Sequence, residues 1–192
     1  MRTLILLFLI AAFVFSSVRS SLAAAPPKEA GKQTKLGKYL TAVEAYQRLQ
    51  NAHGNVTLID VRTPQEYDFV GHPNMACNIP VKLWSGKFDP KAKRNVLVEN
   101  PAFVDQVKAR FKAGDALVLL CRSGDRSALA VDKLADAGFT DVSSIVDGFE
   151  GDMVSDKNDP DFGKRTRSGW KNSSNPWTYD LDARLVYVAP EK

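Results

Sequence analysis

The 192-residue sequence predicts an α/β domain built on a mostly parallel sheet. Three observations carry that reading. Short apolar runs alternate with segments of helical spacing through the middle of the chain, the pattern of strand–helix–strand units. Ala116-Leu117-Val118-Leu119-Leu120 has no polar alternation, as a strand covered on both faces requires. The composition is ordinary for a globular protein, 44% hydrophobic and 25% charged with 12 Gly and 10 Pro, which excludes disorder, a collagen repeat and a disulfide-dense miniprotein. One domain with a sizeable core is expected at this length.

The chain opens with Arg2, the apolar run Leu4 to Phe15 and the small residues Ser20 to Ala25. This is the shape of a secretory signal, with Ser21-Leu22-Ala23 as the cleavage site, so residues 1–23 are expected to be removed. The run is short for a bilayer span, which needs about 20 residues. An uncleaved anchor is the alternative, and Arg19 interrupts the apolar run too early for it. No Arg-Arg pair is present, which fits the general secretory route better than twin-arginine export. The mature protein is therefore expected in the periplasm or outside the cell, with no membrane attachment after cleavage. The formal charge of +4 falls by two once Arg2 and Arg19 leave, so a nucleic-acid or anionic-membrane partner is not indicated. Residues 24–37, rich in Pro, Lys and Gly, read as a mobile linker.

The domain is expected over residues 38–151. Thr41-Ala42-Val43-Glu44 is a capping box that opens a helix to about Gln50. Thr57 to Val61 is a β-branched run that reads as a buried strand. Thr63-Pro64 starts a brief helix with Pro in the first turn. Gly71-His72-Pro73 is a turn, and Ala76 to Ile79 a second strand. Asn100-Pro101 opens a helix to about Ala113, with Phe103, Val104, Val107 and Phe111 at helical spacing. Ala116 to Leu120 follows as the central strand, then a helix from Ser127 to Ala137 ended by Gly138, then a last strand from Val142 to Val146. Residues 152–192 are polar and loop-like yet carry Trp170, Trp177 and Tyr179. Aromatics in such a stretch indicate an extension packed back on the domain, an exposed binding site being the alternative. Leu185 to Val188 is a candidate extra strand.

In open α/β sheets the ligand site lies at the carboxyl ends of the strands. Cys121 sits there, directly after the central strand, followed by Arg122-Ser123-Gly124-Asp125-Arg126-Ser127 and a helix. Thiolate is the reactive form of cysteine, and a helix N-terminus and basic groups favour it. A tight loop ahead of a helix turns several backbone N–H groups toward one point, a nest for an anion. Gly124 permits angles that a Cβ hinders. Arg122 and Arg126 add positive charge with Asp125 as a partial offset, and Ser127 can cap the helix or donate a hydroxyl. The set suits a sulfur nucleophile acting on an oxyanion. The alternative for Cys121 is a small buried residue extending the strand. It is outweighed because the Arg/Gly/Ser loop follows at once; the alternative for Arg122 and Arg126, a solvated helix start, is weak because cations at a helix N-terminus oppose the helix dipole unless an anion lies between them.

At these residues the sequence resembles the rhodanese (sulfurtransferase) domain family, from about Lys38 to Gly151. Leu58-Ile59-Asp60-Val61-Arg62 with Glu66-Tyr67 is similar to the family's first block. Gly71-His72 with Ala76-Cys77-Asn78-Ile79-Pro80 is similar to the second, the active loop runs from Cys121 to Ser127, and Asp147-Gly148-Phe149-Glu150-Gly151 is similar to the closing segment. The chain departs from the pattern at Pro73-Asn74-Met75 and at Cys77, which reads as a buried small residue. The resemblance implies a three-layer fold with a central, mostly parallel sheet of about five strands flanked by helices. It implies a thiosulfate sulfurtransferase that needs no metal or organic cofactor and works through a Cys121 persulfide. Its partners would be a small-molecule sulfur donor and a cyanide, thiol or protein acceptor. Arg122, Ser123, Gly124, Asp125, Arg126 and Ser127 would bind substrate, and Asp60 and Arg62 would support the active loop. Arg62 is expected to pair with Glu66, and His72 to be structural. With only two cysteines in the chain, a Cys77–Cys121 disulfide would silence the enzyme or make it a redox switch. Two further readings stay open: a persulfide carrier with little turnover, and a phosphatase or arsenate reductase, although the C-x4-R loop is one residue shorter than the C-x5-R cradle of those enzymes.

Overall fold

The computed structural model describes residues 24–189; the leader expected at 1–23 lies outside them. In chain order the elements are β1 (Tyr39–Leu40), α1 (Ala42–Asn51), β2 (Val56–Asp60), α2 (Pro64–Val70), β3 (Cys77–Asn78), β4 (Lys82–Asp89), β5 (Arg94–Glu99), α3 (Phe103–Lys108), β6 (Ala116–Leu120), α4 (Asp125–Asp136) and β7 (Val142–Ile145). Five strands form one parallel sheet in the order β1-β7-β6-β2-β3. The expected α/β class and strand number both hold. The register sets Asp60 opposite Leu120 and Leu119 opposite Ser144, so the carboxyl ends of β2, β6 and β7 come together at one edge of the molecule.

Pleating divides the core into two layers. Ile59, Leu117 and Leu119 point to one face, where Phe103, Val107, Val131, Leu134 and Phe139 cover them. Leu58, Val118 and Leu120 point to the other, against Leu40, Ala42, Ala45, Phe149 and Trp170. This two-sided burial is why β6 reads as an unbroken apolar run. Both short N-terminal helices start on complete capping boxes, Thr41 with Glu44 and Thr63 with Glu66.

The structure departs from the expectations in four places. Residues 82–99 form an antiparallel hairpin, β4 with β5, outside the main sheet. Helix α3 is limited to Phe103–Lys108, because Asn100 Oδ1 accepts from the Ala102 N–H at one end and Asp115 takes the Lys112 N–H at 2.8 Å at the other. Leu185 to Val188 is not a strand; Leu185 lies in a turn, and its carbonyl accepts the Asn78 N–H at 2.7 Å. The stretch expected to be a mobile linker lies along α4. Lys35 binds Asp132 through its N–H and Asp136 through Nζ, and the nearly buried Lys32 pairs with Asp152 at 2.8 Å. No helix among the described residues is long and apolar enough to cross a membrane.

Candidate active site

Cys121 is the first residue past β6. The chain then curls through Arg122, Ser123 and Gly124 into α4, which begins at Asp125. The curl depends on Gly124, whose φ of +110° few side-chain-bearing residues adopt and whose position leaves no room for a Cβ against the Val146 carbonyl. The Gly124 N–H donates to Cys121 Sγ at 3.1 Å. The thiol lies 3.6 Å from Ser127 Oγ, which donates to the Gly124 carbonyl at 2.8 Å and accepts from Ser144 Oγ at 2.9 Å. Ser127 therefore braces the loop from inside α4 and does not act as its cap. An N–H aimed at sulfur from a helix N-terminus stabilises negative charge there.

The loop is gripped from behind by the segment after β7. Phe149 N–H donates to the Cys121 carbonyl at 2.7 Å, and Glu150 N–H to the Arg122 carbonyl at 3.0 Å. Gly148, at φ +60°, lets the two strands of chain approach; a Cβ there would lie 2.6 Å from the Cys121 carbonyl oxygen.

Charge pairing differs from the expected scheme. Arg62 does not pair with Glu66. It holds Asp60 in a fully buried pair, with Nη2 to Oδ2 at 2.6 Å, and donates to the Gly71 carbonyl at 2.8 Å. Asp60 and Arg62 make no hydrogen bond to the active loop among the described contacts. Their link to it runs through Phe149, whose ring lies 4.2 Å beneath the Arg62 guanidinium. Glu66 instead binds Arg126 with both carboxylate oxygens, each at 2.6 Å. The capping box explains the choice, since Thr63 turns the Glu66 carboxylate back over the start of α2 and toward α4. Burial alone would raise the Glu66 carboxyl, but the Arg126 guanidinium holds it down at about 2. Arg126 is thus neutralised within the protein. Arg122 is half exposed and meets Glu150 at 3.2 Å. His72 is buried, stacks on Tyr67 at 3.6 Å and donates Nδ1–H to the Tyr67 carbonyl. Cys77 and Cys121 are free thiols, and burial pushes the Cys77 thiol up.

Cys121, Arg122, Ser123, Asp125 and Arg126 all line one cleft of about 1010 Å³. Its outer walls come from residues the sequence did not single out: Lys82, Trp84 and Arg94 of the hairpin, Phe69 of α2, and Arg165 of the C-terminal extension. The alternation in Lys82-Leu83-Trp84 and Arg94 to Glu99 was the available signal for the hairpin walls. Nothing local marks Arg165.

A family model for the Rhodanese-like domain matches residues 41–153. The chain belongs to the rhodanese-like family. Among relatives of this rhodanese-like protein, the senescence-associated protein DIN1 of Raphanus sativus is 38% identical over 91 residues, 47% of this chain and 45% of the relative. Rhodanese-like domain-containing protein 15, chloroplastic, of Arabidopsis thaliana is 33% identical over 112 residues, 58% and 57% of the two chains. The chain thus spans about half the length of these two relatives. Thiosulfate sulfurtransferase 16, chloroplastic, of Arabidopsis thaliana is 36% identical over 91 residues, 47% of this chain and 68% of the relative. The crystal structure of Rv0390 from M. tuberculosis superposes with a TM-score of 0.59 at 26% identity, covering 74% of this chain and 97% of that one. The family is of sulfurtransferase type.

Proposed function

We propose that this rhodanese-like protein transfers sulfane sulfur from thiosulfate, or a similar anionic donor, to a thiophilic acceptor through a persulfide on Cys121. The Gly124 N–H directed at Cys121 Sγ carries the reading, because it stabilises the thiolate that attacks the donor and that is regenerated when the sulfur is passed on. In the first step the Cys121 thiolate attacks the outer sulfur of thiosulfate. The new S–S bond forms as the bond to the sulfonate sulfur breaks, and sulfite leaves with that electron pair. The product is a Cys121 persulfide anion. In the second step cyanide attacks the outer persulfide sulfur, thiocyanate leaves, and the Cys121 thiolate is regenerated. Charge balances in both steps. The relative named as a thiosulfate sulfurtransferase supports the choice of donor. The shape of the loop favours this reaction over phosphate chemistry, since the Arg126 fork that would cradle a phosphate is occupied by Glu66. Export through the leader at 1–23 completes the proposal, and N-terminal sequencing of the secreted chain is expected to begin at Ala24.

The test is thiocyanate production from thiosulfate and cyanide. The expected result is turnover by the wild type and none by Cys121→Ser. Full activity in Cys121→Ser overturns the reading. Hydrolysis of an aryl phosphate that Cys121→Ser abolishes would replace it with a phosphatase.

A further inference from the structure

The cations around Cys121 are not equivalent. Arg126 is neutralised by Glu66 and Arg62 by Asp60. Arg122 meets Glu150 at 3.2 Å, and Lys32 takes Asp152. Arg165 lines the same cleft as Cys121 and Arg122, and it has no carboxylate within 4 Å among the described residues. Its Nη1 donates to the Gly151 carbonyl, while its Nε is buried with no hydrogen-bond partner. Burial, and then the neighbouring Arg122 charge, push its guanidinium below the usual arginine range. Of the nearby acids, Glu150 and Asp152 are engaged elsewhere, and Asp125 lines the cleft without an ion pair to Arg165. A guanidinium with no carboxylate of its own, lining one cleft with a second guanidinium and the Cys121 thiol, is the arrangement an arriving anion completes.

Arg165 is also fixed in place. Asn172 Nδ2 donates to the carbonyls of Glu150, Arg165 and Ser168 at 3.1, 3.3 and 2.8 Å. Val154 N–H binds the Lys164 carbonyl and Gly163 N–H the Val154 carbonyl, each at 2.9 Å. The residue lies beyond the 41–153 family match, so the extension supplies it to the domain's cleft.

We propose that Arg165 is a specificity-determining residue of the sulfurtransferase site, and that with Arg122 it binds the sulfonate end of an anionic sulfur donor while the donor's outer sulfur meets Cys121. The inference rests on the sulfurtransferase reading and adds to it the residue that selects a charged donor.

The test uses the full mature chain and its Arg165→Ala and Arg165→Lys variants. Double displacement lets the donor half be read separately from the acceptor half. A lost charge-assisted contact raises the KM for thiosulfate by about tenfold or more in Arg165→Ala. The kcat and the kcat/KM for cyanide stay near wild type, and Arg165→Lys recovers part of the loss. The rate of Cys121 alkylation by iodoacetamide, an uncharged reagent, is unchanged, which shows an intact loop. A thiosulfate KM within twofold of wild type overturns the proposal. So does an equal loss toward thiosulfate, cyanide and iodoacetamide, because that marks a structural role. If the wild type makes no thiocyanate, the sulfurtransferase reading fails, and calorimetric binding of thiosulfate to Cys121→Ser with and without Arg165→Ala still decides the role of Arg165. Weaker binding without the guanidinium supports it, and equal or absent binding refutes it.

Discussion

Glu66 serves two elements at once, as the second half of the α2 capping box and as the counter-ion of Arg126 beside the active loop. Its removal therefore reaches beyond one helix. Glu66→Gln leaves Arg126 partly buried without a carboxylate and is expected to cost about 2 kcal/mol, below the usual cost for a fully buried pair because both side chains keep some solvent contact. The Glu66 carboxyl is held near 2, lower than the 4.5 of a free group, so its contribution is fully present above about pH 4.5 and is lost as pH falls toward 2. Urea denaturation across that window is expected to show the difference between wild type and Glu66→Gln shrinking as the solution becomes more acid; a constant difference would contradict the linkage. Gly148→Ala tests the close approach behind Cys121, and it is expected to lower both stability and turnover, because the added Cβ must displace the Cys121 carbonyl. At this scale the sequence was partly legible. Cys121, Gly124 and the loop residues stood next to one another in the chain. The ion pairs did not: Arg62 and Glu66 sit at a spacing that suggests a local pair, whereas Glu66 reaches a guanidinium sixty residues away.

Among the elements, those buried on both faces were the ones the sequence revealed. β6 is a continuous apolar run, and β2 an apolar or β-branched one up to Asp60, because two layers cover them, whereas β7 carries the buried Ser143 and Ser144 between Val142 and Ile145. The capping boxes of α1 and α2 were equally plain, since their partners lie three residues apart. β1 is too short for any period to register, and the β4–β5 hairpin contains no fully buried residue, so its hydrophobic signal is weak. The same exposure sets its energetics. Trp84, 44% exposed on the cleft wall, is expected to tolerate replacement by Ala with a Tm change of no more than about 2 °C. Thr63→Ala removes the α2 cap and is expected to cost about 1 kcal/mol, read as a lower urea midpoint with the slope unchanged.

For the whole molecule, segments at both ends of the described chain converge on the loop that carries Cys121. The N-terminal stretch brings Lys32 against Gly124 and Asp152. The extension brings Trp170 into the core, where its N–H binds the Gly148 carbonyl, and Lys171 beside it lies 4.3 Å from the Trp177 ring. The aromatics of the extension hinted at packing, but which surface they cover depends on contacts with residues 148–151 that no sequence period encodes. Trp170→Ala opens a large cavity and is expected to cost about 3–5 kcal/mol, which lowers Tm by roughly 10 °C in a chain of this size. A loss of less than about 1 kcal/mol would mean that the extension is not part of the cooperative unit. The most direct measurement of sulfur transfer itself is the intact mass of the protein after exposure to thiosulfate. The expected result is a gain of one sulfur atom per chain, mapped to Cys121, discharged by cyanide with an equal yield of thiocyanate, and absent in Cys121→Ser. Thiocyanate formed with no adduct at any time, or an adduct that survives in Cys121→Ser, would contradict a persulfide on this cysteine.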